Sequence, residues 1–123
     1  MKDVNILVWD QGDPAVLDEW IETSGGDFDI IIDDGGHSNC QIWTSFEKLW
    51  PTVKPGGLYF IEDMHVGRKE AYKKSTDYCN GTKLEVILEL EKFIEVLIYN
   101  KNSKNNDVKF VACQRQACMI KKL

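Results

Sequence analysis

At 123 residues the chain has room for one domain, read over residues 1–123, and its 43% hydrophobic and 28% charged residues are globular proportions that exclude a wholly disordered chain. Twenty acidic residues against 15 basic ones leave a formal charge of -5, which repels phosphate backbones and anionic lipid and excludes nucleic acid as the main partner. No apolar run approaches the roughly 20 residues of a membrane span, and Met1-Lys2-Asp3 leads straight into a strand pattern without a signal-peptide core, so a cytoplasmic protein is expected.

Residues 4–9, VNILVW, form a short apolar run, and Asp10-Gln11-Gly12-Asp13-Pro14 supplies turn and helix-start residues, which predicts a strand passing into a helix. Val16, Leu17, Trp20 and Ile21 share one face of that helix, and Ser24-Gly25-Gly26-Asp27 ends it. Phe28-Asp29-Ile30-Ile31-Ile32 follows with little alternation, as expected of a strand covered on both faces in a parallel sheet. After Asp33-Asp34-Gly35-Gly36-His37, Ser38 and Asn39 can cap a helix carrying Ile42, Phe46, Leu49 and Trp50 until Pro51 stops it. Lys54-Pro55-Gly56-Gly57 reads as a turn and residues 58–61 as a second buried strand ending in Glu62-Asp63, so that strand, helix and strand predict a parallel crossover.

Residues 64–82 lack periodicity and read as a long loop, with Asn80-Gly81-Thr82 as a turn that also matches a glycosylation sequon. Leu84, Ile87, Leu88, Ile94, Leu97 and Ile98 predict a longer helix; residues 101–107 form a polar loop, and residues 108–113 with 117–122 a terminal antiparallel pair. Cys40, Cys79, Cys113 and Cys118 have no metal-site or redox-motif spacing and are expected to be reduced structural thiols.

In an open α/β sheet ligands bind beyond the carboxyl ends of the strands, and neighbouring strands lie about 4.8 Å apart. Asp34 after one predicted strand, and Glu62 with Asp63 after the next, can therefore converge on one cation. A hard oxygen donor set favours Mg²⁺, with Ca²⁺ or Mn²⁺ as alternatives. The competing reading is that Asp33, Asp34 and Asp63 only cap helices or bind loop amides. His37, on the turn leaving the first of these strands, is a candidate general base for a substrate hydroxyl, set against a surface or helix-capping role; His65 is a weaker competitor.

Taken together, Asp10-Gln11-Gly12-Asp13-Pro14, the segment from Phe28 through Asp33-Asp34-Gly35-Gly36-His37, and Lys54-Pro55-Gly56-Gly57 through Glu62-Asp63 resemble the macrocin- and mycinamicin-type sugar O-methyltransferases, class I enzymes that use S-adenosylmethionine. The resemblance runs from about Val4 to Asp63 and more loosely beyond, with Gly36 standing where the family often has Ser. It implies that Asp34, Glu62 and Asp63 bind Mg²⁺ and that His37 takes the proton of a sugar hydroxyl. It also implies that Asp10 and Gln11 flank the adenine of S-adenosylmethionine and that Asp33 lies beside its methionine end. The implied fold is α/β: a partial Rossmann-like methyltransferase domain with a mostly parallel sheet, a C-terminal antiparallel strand pair, and no counterpart before Val4 of the family's first two strands and Gly-rich turn. The expected partners are a small-molecule hydroxyl acceptor and, to complete the sheet, a second chain or a copy of this one. The alternatives are a truncated, non-catalytic remnant that keeps a metal or interaction site, and a sugar-binding module of another fold.

Overall fold

The computed structural model describes residues 4–65, 78–99 and 107–123. Helix α1 (Pro14–Ser24) begins where the sequence places it: Asp13 Oδ1 accepts the Ala15 N–H at 2.9 Å, Pro14 occupies the first turn, and Gly25 closes the helix in the left-handed conformation. Strand β1 (Phe28–Asp33) leads through the Asp34–His37 loop to helix α2 (Asn39–Leu49), whose N-cap Ser38 accepts the Gln41 N–H at 3.1 Å. Pro51 turns the end of α2 into a single 3₁₀ turn, Trp50–Thr52, before strand β2 (Val53–Ile61).

The four-stranded sheet has the order β1-β2-β6-β5, with β5 spanning Val108–Cys113 and β6 Cys118–Lys122. It is mixed: β1 and β2 run parallel across α2, whereas β6 is antiparallel to both β2 and β5. The C-terminal pair thus forms as the sequence predicts. A small hairpin, β3 (Tyr78–Cys79) and β4 (Thr82–Lys83), precedes helix α3 (Val86–Tyr99). Its turn is Asn80-Gly81, both at positive φ, the pair that two-residue hairpins favour. The rest of the expected 64–82 loop, residues 66–77, and residues 101–106 of the second expected loop lie outside the described residues.

Aromatic side chains build the core. Phe46 stacks on Trp43 and Trp50, meets Tyr59 edge-on at 5.1 Å and approaches Phe93, so α2, β2 and α3 share one cluster. Among the described residues no helix is long and apolar enough to cross a membrane.

Four expectations need correction. Residues 4–9 form no strand: Val4, Ile6, Val8 and Trp9 are each more than 70% exposed, because a strand needs a hydrogen-bonded neighbour and this segment has none among the described residues. A cavity of about 350 Å³ lined by Asn5, Leu7, Trp20, Phe28 and Ile30 lies between this segment and β1. Strand β1 is covered on one face only, with Ile30 and Ile32 exposed on the other. The Lys54-Pro55-Gly56-Gly57 turn lies inside β2, where the register slips between Phe28↔Val53 and Ile30↔Leu58 as Gly56 adopts φ 77°. The cysteines are all paired: Cys40–Cys79 joins α2 to the β3–β4 hairpin, and Cys113–Cys118 crosses the β5–β6 ladder. Sequence separation hid the first pair, which the packing of the β3–β4 hairpin against α2 brings together.

Candidate functional site

The carboxyl ends of β1 and β2 are neighbours. Asp33 faces Ile61 in the ladder, and the Glu62 N–H donates to the Asp33 carbonyl at 2.9 Å, so Asp34 and Glu62 are the next residues outward on adjacent strands. Asp63 then adopts φ 51°, a left-handed conformation that Asp tolerates better than most residues, and the chain turns there. Its Oδ2 lies 3.9 Å from His37 Nε2, with both side chains more than a third exposed. Asp34, His37, Glu62 and Asp63 therefore occupy one end of one strand pair, as the sequence predicts.

They are not drawn together as a finished cage. Among the described residues no three His, Cys, Asp or Glu groups stand close enough to hold a metal ion. The donor chemistry nevertheless suits a hard cation: three carboxylates, with neither Asp34 nor Glu62 taking a hydrogen-bonding or ion-pair partner in its side chain among the described residues.

The residues assigned to the cofactor side divide differently. Asp10 is exposed, its Oδ1 accepting the Gly12 N–H at 2.8 Å and the Gln41 amide at 3.4 Å. Asp33 is buried, and burial raises its carboxyl above the ordinary value despite donors from Gln11 Nε2 at 3.0 Å, the Gly35 N–H at 3.4 Å and the Tyr59 hydroxyl at 3.5 Å. Gln11 reaches both Asp33 and the Gly36 N–H, the latter at 2.6 Å. Around them lies a cavity of about 310 Å³ lined by Gln11, Trp20, Ile32, Asp33, Asp34 and Tyr59. The Trp20 indole nitrogen at its wall is buried and has no hydrogen-bonding partner among the described residues, as is also true of His65 Nδ1.

Sequence reasoning passed over Tyr59, Ser45 and Gln41. The signal for Tyr59 is that a hydroxyl in a buried strand needs a partner, here Asp33. Ser45 interrupts the apolar stripe of α2 between Ile42 and Phe46, and that interruption was the available signal.

Comparison with known proteins supplies the relationship. Over 89 residues the chain is 45% identical to the mycinamicin VI 2''-O-methyltransferase of Micromonospora griseorubida, an alignment covering 71% of this chain and 22% of that protein. It is 51% identical over 61 residues to the demethylmacrocin O-methyltransferase of Streptomyces fradiae, covering 50% of this chain and 15% of that one. The chain is a homologue of the macrocin- and mycinamicin-type sugar O-methyltransferases. Its fold agrees with this: the MycE methyltransferase of the mycinamycin pathway, in complex with Mg, SAH and mycinamycin VI, superposes with a TM-score of 0.74 at 30% identity over 94% of this chain and 31% of MycE. The chain thus spans about a fifth of the length of its mycinamicin relative and under a third of the solved structure. No protein-family model matches it. The mixed α/β sheet of this methyltransferase homologue is accordingly part of a Rossmann-like methyltransferase fold.

Proposed function

We propose that this chain carries the hydroxyl-activating part of a Mg²⁺-dependent O-methyltransferase that acts on a sugar or a glycosylated small molecule, with S-adenosylmethionine as methyl donor. The observation that carries the reading is the placement of Asp34 and Glu62 on adjacent strand ends, with His37 3.9 Å from Asp63. In this reading Asp34, Glu62 and Asp63 would hold Mg²⁺, which when bound would supply a positive charge that lowers the pKa of an acceptor hydroxyl. His37, on the loop beside them, would accept the hydroxyl proton as the oxygen takes the methyl group from S-adenosylmethionine, whose sulfur departs as S-adenosylhomocysteine. In the same reading Asp10 would flank the adenine and Asp33 the methionine end; Asp33 lines a cavity with Gln11 and Trp20 that supports this. The open edge of β1, beside the unpaired segment 4–9, suits completion by further strands from a second chain or a copy of this one.

A second reading, a metal-binding or interaction module that transfers nothing, draws on one observation: Gln11 and Asp33 are hydrogen-bonded to each other and spend much of their capacity there. Calorimetric titration with S-adenosylmethionine, with and without Mg²⁺, separates the two. The enzyme reading expects binding heat that grows with Mg²⁺; an absence of heat in both conditions supports the module.

A further inference from the structure

We infer that Gln11 is a positioning residue that sets the course of the Asp34–His37 loop, and through it the approach of Asp34 and His37 to the end of β2. The inference rests on the proposed roles of Asp34 and His37.

The side-chain amide of Gln11 is nearly saturated. Its Nε2 donates to Asp33 Oδ1 and to Ser45 Oγ, both at 3.0 Å, which uses both amide hydrogens. Its Oε1 accepts the Gly36 N–H at 2.6 Å. Ser45 closes the arrangement by donating to the Gln11 carbonyl at 3.3 Å. One side chain thus joins the turn before α1, the end of β1, the loop beyond it and the second turn of α2. Little of it remains to recognise a ligand.

The loop is shaped to fit. A Cβ at Gly35 would overlap Gln11 Oε1, and a Cβ at Gly36 would overlap the Gln41 amide. Gln41 is held in turn by Asp10 Oδ1 at 3.4 Å, which also accepts the Gly12 N–H. The two glycines therefore pass between two glutamine amides, and the peptide from Asp34 to His37 has its direction fixed from both sides. An apolar side chain at position 11 would leave the Gly36 N–H and the Asp33 carboxyl each short of a partner in a half-buried setting.

Gln11→Met tests this, since Met fills much the same volume without hydrogen bonding. Backbone amide exchange at Gly36 is expected to rise by a factor of about 10, what one lost hydrogen bond of this kind gives, while Ile61 and Ile120 keep their protection. Mg²⁺ affinity, measured by calorimetry with MgCl₂, is expected to fall by about 10-fold, the low end for residues that orient metal ligands, since Gln11 acts through the loop. Ser45→Ala, which removes a single partner of Gln11, should give a smaller change at the same amide and serves if the Met variant loses protection throughout. Unchanged Gly36 exchange with weakened binding of S-adenosylhomocysteine would make Gln11 a direct cofactor ligand and overturn the inference. If the unsubstituted chain binds no Mg²⁺, the metal assignment fails separately, and Gly36 exchange alone decides the role of Gln11: a rise upholds positioning and no rise overturns it.

Discussion

His37 Nε2 stands 3.9 Å from Asp63 Oδ2, joining the loop after β1 to the turn after β2 at the carboxyl edge of the parallel pair. That distance is beyond a direct hydrogen bond, and both groups are partly exposed, so the pair couples weakly. A His that is a base and not a ligand should be separable from metal binding. His37→Ala is expected to leave Mg²⁺ affinity within about a factor of 2, the coupling of an exposed pair. Asp34→Ala and Glu62→Ala should each weaken it by about 10-fold or more, since even outer-sphere partners of a metal cost that much. Calorimetric titration of the three variants decides. Unchanged affinity in both carboxylate variants would remove the metal assignment, and a matching loss in His37→Ala would make the imidazole a ligand.

The two disulfides should differ in worth. Cys40 and Cys79 are 39 residues apart and Cys113 and Cys118 only 5. On the chain-entropy account, a cross-link stabilises by restricting the unfolded chain, by about 4 kcal/mol for the longer loop and about 2 kcal/mol for the shorter. Urea unfolding of Cys40→Ser/Cys79→Ser and of Cys113→Ser/Cys118→Ser should rank the losses in that order. Equal losses would show that native contacts around the sulfurs, not loop length, set their contribution.

Much of the fold was legible because local chemistry and tertiary structure agree. Asp13-Pro14 and Gly25 bound α1, Ser38 caps α2, and the two C-terminal runs pair antiparallel as predicted. The strand ends that carry Asp34 and Glu62 were legible for the same reason, since each acidic cluster follows a run of β-branched or aromatic residues. Residues 4–9 show the limit. Their composition is that of a strand, but strand formation depends on a neighbour that composition cannot reveal. The Cys40–Cys79 pair and the bonds from Gln11 to Asp33, Ser45 and Gly36 join positions 22 to 39 apart, and tertiary packing brings them together: the β3–β4 hairpin against α2 for the first, and the turn before α1 against α2 and the end of β1 for the others.

Phe46 contacts the rings of Trp43, Trp50, Tyr59 and Phe93 and is 2% exposed, so its removal leaves a void where α2, α3 and β2 meet. Phe46→Ala should cost about 3–5 kcal/mol of stability and Phe46→Leu much less, because Leu refills most of the volume. Denaturant unfolding of the two variants provides the test. Similar losses would mean that ring-to-ring geometry outweighs filled volume.

Tyr59 makes a prediction with a defined sign. Its hydroxyl donates to Asp33 Oδ2 at 3.5 Å and is fully enclosed; burial first, and the Asp33 carboxylate second, raise its pKa well above the ordinary value of 10.0. In the unfolded chain the phenol ionises near its ordinary value, so above pH 10 the unfolded state has released a proton that the folded state retains. Stability contributed by Tyr59 is therefore complete below that pH and declines as the pH climbs past it. Tyr59→Phe removes the titrating group and a long hydrogen bond, for a loss near neutrality of about 1 kcal/mol or less. Lysines and other groups titrate in the same range, so the informative quantity is the difference in unfolding free energy between the two proteins. That difference should be constant from pH 7 to pH 9 and then shrink as the pH passes about 10, the Phe variant overtaking the parent if the alkaline loss exceeds the neutral one. A gap that stays constant to pH 11 would mean that the phenol ionises equally in both states, and that Asp33 and the surrounding rings do not hold its proton.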